Sequence, residues 1–454
     1  MKKSLLFSFT LVAFFLSTIR LTAEVQLPSR EERVYSLSLL WKEMLYNFAF
    51  PETFRQVNID SLYMAYIPKM EQAKSKYKYY RILCAFMAHF NDAHTRIIAD
   101  DPQPVDAPPL TATNFGEKII VTGIAKSFAD KIPLGSEILK IDHIPVITYL
   151  RDSVFPYIGA STPQWKFDKS VTEMFYGEPQ SGVMITIKTP AGKEQDVKMI
   201  RNYNSSGAKE AMLEANHVLP INIKIIDNNI GYIQLTSFLK QYLDTINSTF
   251  ADWLPELRKC KGLIIDIRGN RGGTSEAYNT ILFHLMPDSI LPSKGQSYCR
   301  VHNALLKNMG RNNPQYEAFY TGTFMGKITE GETKEGNDTV VLKQPLIIIS
   351  GQMVASASEF FLQVMKEYKR ATIVGEPSIG AMSEPSLFPV PGNLEAMISI
   401  KKYVTADGLQ PNDTGILPDI EVKRDYNAYL QGKDNVLERA VEELRKKMDD
   451  CRTE

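Results

Sequence analysis

The sequence predicts an α/β protein with a mostly parallel central sheet, and three observations carry that prediction. Short apolar runs recur in the second half of the chain: Gly-Tyr-Ile-Gln-Leu at 231–235, Gly-Leu-Ile-Ile-Asp-Ile at 262–267, Leu-Ile-Ile-Ile at 346–349 and Ala-Thr-Ile-Val-Gly at 371–375. They are short and rich in β-branched residues, as strands covered on both faces are. Stretches of helical period separate them, and strands alternating with helices build parallel βαβ units.

Length and charge set further bounds. The 454 residues have room for two or three domains. Lys plus Arg and Asp plus Glu both number 52, so the net charge is zero. A neutral chain is a poor partner for nucleic acid, whose binding needs a basic surface. Lys2 and Lys3 precede an apolar stretch from Leu5 to Ile19 that is too short to span a bilayer comfortably. Residues 1–23 therefore read as a signal peptide cleaved after Ala23, and the protein as exported, periplasmic or extracellular. No later stretch is long and apolar enough for a membrane span. Cys84, Cys260, Cys299 and Cys451 form no CxxC pair, and none of the six histidines sits in an HExxH-type pair. No metal and no organic cofactor is expected.

Four segments follow the signal. Residues 24–109 read as a helical bundle: Leu37, Leu40, Trp41, Leu45 and Phe48 share one helical face, and Ile82, Leu83, Phe86, Met87 and Phe90 another. The bundle ends at Asn91-Asp92-Ala93-His94-Thr95-Arg96, before a Pro-rich linker over 101–109. Residues 110–203 carry strand patterns at 118–122 and 136–142, then a hairpin of 183–188 and 195–200 around Pro190-Ala191-Gly192. This arrangement resembles a PDZ domain, with Ser136 where that family usually has Asp. The resemblance implies capture of extended peptides by strand addition. Residues 204–430 hold the α/β core, with a polar, irregular excursion over 296–339. Residues 431–454 read as a charged C-terminal helix.

Within the core, the run 346–349 leads through Ser350 and Gly351 into Val354-Ala355-Ser356-Ala357-Ser358-Glu359, after which Phe360, Phe361, Val364 and Met365 recur at helical spacing. Ser356 thus sits where a strand turns into a helix. Unpaired N–H groups at a helix start carry partial positive charge, so a hydroxyl there suits a nucleophile whose oxyanion needs donors. Alone, the segment reads equally well as a capped, closely packed helix start. A second segment, Asp266-Ile267-Arg268-Gly269-Asn270-Arg271-Gly272-Gly273, closes a strand at the sheet end where ligands bind. Its paired glycines let backbone N–H groups approach a substrate closely, and Arg268 and Asn270 read as braces of the Gly272 turn.

Together with Gly375-Glu376-Pro377-Ser378-Ile379-Gly380 and Gly415-Ile416-Leu417-Pro418-Asp419-Ile420-Glu421-Val422, these segments resemble the S41 serine peptidases, the C-terminal-processing (tail-specific) proteases and their tricorn-like relatives. "DIRGNRGG" resembles that family's "DLRxNxGG", "SASE" its "SASASE", "ATIVGEPSIG" its "AxVVGExTxG", and "GILPDIEV" its "GVxPDIxV". The resemblance implies a ClpP/crotonase-like core carrying an N-terminal helical bundle and an inserted PDZ-like domain. It implies Ser356 as nucleophile, with oxyanion donors from the backbone N–H of Ala357 and of Gly272, or of Gly273. The lysine of the Ser-Lys members falls at Ala381 here, so another base is required. His94 resembles the histidine of the tricorn-like members, and a neutral-range imidazole suits the task. The position of the third residue falls at Asn412, with Asp413 beside it and Glu384 more remote. The implied function is an exported serine endopeptidase acting on polypeptides, with the PDZ-like domain presenting them. The alternative is a catalytically inactive S41-like peptide- or lipid-binding protein. The oligomeric state is left open.

Overall fold

A computed structural model describes residues 27–99, 104–204, 212–214, 219–227, 229–286, 295–300, 313–328 and 342–450. The signal segment expected over 1–23 lies outside the described residues, as do His217, His302 and Cys451. Among the described residues no helix is long and apolar enough to cross a membrane.

The core is a six-stranded sheet whose strands lie in the spatial order Ile420–Glu421, Thr372–Gly375, Leu346–Ser350, Gly262–Asp266, Ile230–Leu235, Ile221–Ile226. Its strands are β9 (Ile221–Ile226), β10 (Ile230–Leu235), β11 (Gly262–Asp266), β14 (Leu346–Ser350), β15 (Thr372–Gly375) and β18 (Ile420–Glu421). From β10 to β18 every neighbour pair is parallel; β9 pairs antiparallel with β10 at the edge. Because strand side chains alternate between faces, the apolar runs supply two cores. Leu263, Ile265 and Ile348 face the helices Leu243–Leu257, Ser275–Leu285 and Ala357–Glu367, meeting Phe250, Ile281 and Phe361. Ile264, Ile347, Ile349 and Val374 face the helix Asn435–Asp450 through Val436, Ala440 and Leu444.

That last helix is pinned by charge as well as packing. Arg268, just past β11, donates to the buried Asp266 (2.6 Å) and to Asp434 (2.6 and 2.8 Å). Asp434 in turn caps the helix by accepting from the N–H of Val436 and Leu437. Arg268 therefore turns away from the Gly272 turn it was expected to brace.

A second sheet is antiparallel and lies outside what the periodicity showed. Its long member is β17 (Leu394–Val404), flanked by β16 (Glu384–Val390) on one edge and by β1 (Arg96–Ala99) and β12 (Gln296–Arg300) on the other. β13 (Met325–Ile328) completes it. The expected irregular excursion over 296–339 thus contributes two strands: a short polar segment gains order from pairing to β17 rather than from its own apolar pattern. Likewise, residues 96–99, inside the segment expected to be a helical bundle, are a strand.

Helices α1 (Arg30–Asn47), α2 (Ile59–Glu71) and α3 (Lys76–Ala88) sit on this second sheet. Ser29 and Glu32 form a capping box at the start of α1. Leu37, Leu40, Met44, Leu83 and Phe86 pack against Val390, Leu394 and Ile398. This contact delivers the chain leaving α3 to the sheet edge. A third, seven-stranded antiparallel sheet runs from β2 (Leu110–Phe115) to β8 (Met212–Glu214), past the expected boundary at 203, with the helix Pro163–Glu173 beside it.

Replacing Arg268 by Ala would leave buried Asp266 without its cation. Breaking such a pair costs on the order of 3 kcal/mol. Urea unfolding should show a loss of that size, and a loss below about 0.5 kcal/mol would show that the pair does not hold the last helix.

Candidate functional site

Three loops meet beyond the carboxyl ends of β11, β14 and β15. The strand ends are level, since Asp266 pairs with Ile349 and Ser350 with Gly375, so the loops stand side by side at the place where α/β sheets bind ligands.

The β14 loop carries Ser356, immediately before the helix Ala357–Glu367. Its backbone has φ +54° and ψ −124°. A non-glycine residue held at positive φ costs on the order of 1–3 kcal/mol and persists only where its surroundings fix it. They do. The Ser356 N–H donates to Glu359 Oε2 (2.9 Å), and its carbonyl accepts from Glu359 N–H (2.8 Å) and Phe360 N–H (3.1 Å). Ala355 N–H donates to the carbonyl of Asn270 (3.2 Å), tying this loop to the one after β11.

Gly272 lies directly against Ser356. A Cβ there would stand 2.6 Å from the Ala355 carbonyl oxygen and 2.8 Å from the Ser356 Cβ, with φ at +89°. Only glycine fits. The turn is braced by buried Asn270, whose Oδ1 accepts the Gly272 N–H (3.0 Å) and whose Nδ2 donates to the Leu235 carbonyl (3.3 Å). The Gly272 N–H is therefore engaged, while the N–H groups of Gly273 and Ala357 meet no acceptor among the described residues.

Glu359 is fully buried and joins the second loop to the third. Its Oε1 accepts from Ser378 Oγ (2.6 Å) and Gly380 N–H (2.8 Å), and its Oε2 from Ala381 N–H (2.7 Å) as well as from Ser356. Burial pushes its carboxyl up to about 7 against the pull of these donors. Ala381, in the register of the family lysine, places its methyl in an apolar cluster with Ala355 and Ile379.

His94 comes from the N-terminal side, between α3 and β1. Its Nδ1 lies 2.7 Å from the Ser383 carbonyl and 3.2 Å from Ser383 Oγ. A carbonyl only accepts, so Nδ1 carries the proton and Nε2 is left as the basic nitrogen. Burial lowers the His94 pKa; Asp92 opposes that shift and Arg96 adds to it. The imidazole is neutral at pH 7 and able to take a proton. Among the described residues no hydrogen bond joins it to Ser356.

Of the three third-residue candidates, none bonds to His94. Asn412 Nδ2 donates to Asp92 Oδ1 (3.2 Å), and its own Oδ1 is buried with no partner. Glu384 is exposed and pairs with Lys401. Asp413 is exposed at the end of its turn. The residues that do reach His94 or its holder are Ser383 and Asp92; Asp92 stands in the same short segment as His94, but neither residue type there announces such a role. A cavity of about 230 Å³ adjoins the His94 turn, lined by Ala93, Thr95, Arg96, Trp165, Glu173 and Tyr176 among others.

Comparison with known proteins fits this geometry. Residues 229–422 match the model of peptidase family S41. The matched stretch runs from β10 to β18 of the α/β core. The chain is 26% identical over 316 residues to the carboxy-terminal processing protease CtpB of Bacillus subtilis, covering 68% of this chain and 54% of that one. It is 24% identical to the carboxyl-terminal-processing protease of Synechocystis, covering 62% and 56%. The chain thus spans about half the length of the curated relatives it matches. Mature CPAF, solved with lactacystin, shares the fold with a TM-score of 0.69 at 15% identity, covering 93% of this chain and 98% of that one.

The Glu359 carboxyl holds its proton to a higher pH folded than unfolded, where 4.5 is its ordinary value. Stability from this group is complete below about 4.5 and declines as pH rises through about 7. The gap in unfolding free energy between wild type and Glu359→Gln should therefore shrink from pH 4.5 to 7 and then level off. A gap that widens over that window would contradict the assignment.

Proposed function

We propose that this protein is an exported serine endopeptidase of the C-terminal-processing type. The observation that carries the reading is Ser356 held at positive φ on a strand-to-helix turn, with Gly272 in contact behind it and an orphan Ala357 N–H ahead. Such a turn presents a hydroxyl next to oxyanion donors. Ser356 Oγ attacks the scissile carbonyl and His94 Nε2 takes its proton. The Ala357 N–H and the N–H groups of the Gly272-Gly273 turn receive the oxyanion, Gly272 on release from Asn270. His94 then returns the proton to the leaving amine, and water hydrolyses the acyl-enzyme. Catalytic hydrogen bonds often form only on substrate binding, so His94 closes on Ser356 in that complex. The antiparallel module over 110–203 acts as a PDZ-like presenter of an extended polypeptide.

The second reading, a non-catalytic peptide- or lipid-binding protein of the same fold, is favoured by two observations: the Gly272 N–H is engaged by Asn270, and among the described residues Ser356 is unbonded to His94. A fluorophosphonate probe separates the two. Wild type should be labelled and should cleave casein. Ser356→Ala should take no label, and His94→Ala should lose at least about 10³-fold in labelling rate, as triad members do. An unlabelled, inert wild type would establish the second reading, and full activity in His94→Ala would remove the base assignment.

A further inference from the structure

The residue expected to orient His94, Asn412, is occupied elsewhere, and what occupies it is a buried carboxylate. Asp92 is 2% exposed and forms no ion pair among the described residues. Its Oδ1 accepts from Asn412 Nδ2 (3.2 Å), Ser383 Oγ (3.4 Å) and Ser161 Oγ (3.4 Å), and its Oδ2 from Ser399 Oγ. The Asn412 amide cannot be turned over, since its oxygen would then face the carboxylate; this is why its Oδ1 is the atom left unpartnered.

The same cluster holds the imidazole. Ser383 accepts the His94 Nδ1–H on its carbonyl while its hydroxyl bonds to Asp92 and Ser399. Thr95, next to His94, is fixed by accepting the Ser399 N–H (3.1 Å). Resting on the Ser356–His94 reading above, we propose that Asp92, rather than Asn412, is the positioning residue for His94, holding it through Ser383 and supplying the buried negative charge beside it.

The physical case concerns when that charge is needed. A buried carboxylate served only by hydroxyls and an amide is incompletely compensated. When His94 takes the Ser356 proton, the imidazolium becomes its counter-ion. The attraction then exists in the transition state and not in the resting enzyme, which is the condition for it to raise the rate. Asn412 offers no such charge; it serves as a donor to Asp92. The charged groups acting on His94 are Asp92, which favours the imidazolium, and Arg96, which disfavours it. Removing Asp92 therefore leaves Arg96 unopposed.

The test is the pH profile of kcat/KM on a peptide substrate for wild type, Asp92→Asn, Asn412→Ala, His94→Ala and the exchange variant Asp92→Asn/Asn412→Asp. Asp92→Asn should lower the plateau at least about tenfold and move the acid limb to lower pH. Asn412→Ala should keep the acid limb in place and lose less. The exchange variant, with one carboxylate again facing one amide, should return the acid limb towards wild type. It gives the same answer if Asp92→Asn alone does not fold. An unmoved acid limb in Asp92→Asn, or a larger loss in Asn412→Ala, with His94→Ala inactive, overturns the Asp92 assignment and leaves the Ser–His reading standing. Activity in His94→Ala overturns both.

Discussion

The carboxylate of Glu359 is the interaction on which the site depends. It lies one helical turn beyond Ser356, and its two oxygens take four donors from two different loops. One of them fixes the backbone of Ser356 in a conformation that side-chain-bearing residues avoid. The others fix the segment 378–381, which two residues later presents Ser383 to His94. The candidate nucleophile and the holder of the candidate base are thus referenced to one buried group. The level ends of β11, β14 and β15 bring the loops together; Glu359 sets their spacing.

Around this tie the protein distributes charge sparingly. The candidate base is an imidazole that burial keeps neutral. The acid near it, Asp92, is wrapped in hydroxyls and one amide rather than a cation. The proposed oxyanion side is made of backbone N–H at a helix start, where partial positive charge comes with the peptide geometry. The position where Ser-Lys relatives carry an ammonium is the methyl of Ala381, packed among apolar residues. On the proposed mechanism Asp92 carries its charge at rest, while the imidazolium and the oxyanion form only during the reaction.

Much of the core could be read from the sequence because its signals are local. The apolar runs gave the parallel strands, and Ser356 could be placed at a strand-to-helix turn from the residues on either side of it. The glycines at 272 and 273 predict close approach of backbone N–H groups to a substrate; the close approach in the structure is that of Gly272 to Ser356. What stayed hidden is non-local or carries no side-chain signature. β1 pairs with β17 across 301 positions, Arg96 opposite Met397, and the polar strands at 296–300 and 325–328 are ordered by that sheet. The partner of His94 Nδ1 is a backbone carbonyl, which no residue type announces. Asp92 stood two residues before His94, but nothing local indicated that its carboxylate would engage Asn412 from 320 positions away. Arg268 and Asn270 both look like braces for the Gly272 turn; Asn270 is one, while Arg268 holds the last helix.

The most direct measurement is a crystal structure of the protein after covalent reaction with a peptidyl phosphonate. The account predicts phosphorus on Ser356 Oγ, the phosphoryl oxygen about 3 Å from the Ala357 N–H, and His94 Nε2 within about 3.2 Å of Ser356 Oγ, with Nδ1 still on the Ser383 carbonyl. An adduct on another residue, or one on Ser356 with its phosphoryl oxygen in solvent and His94 out of reach, would contradict it.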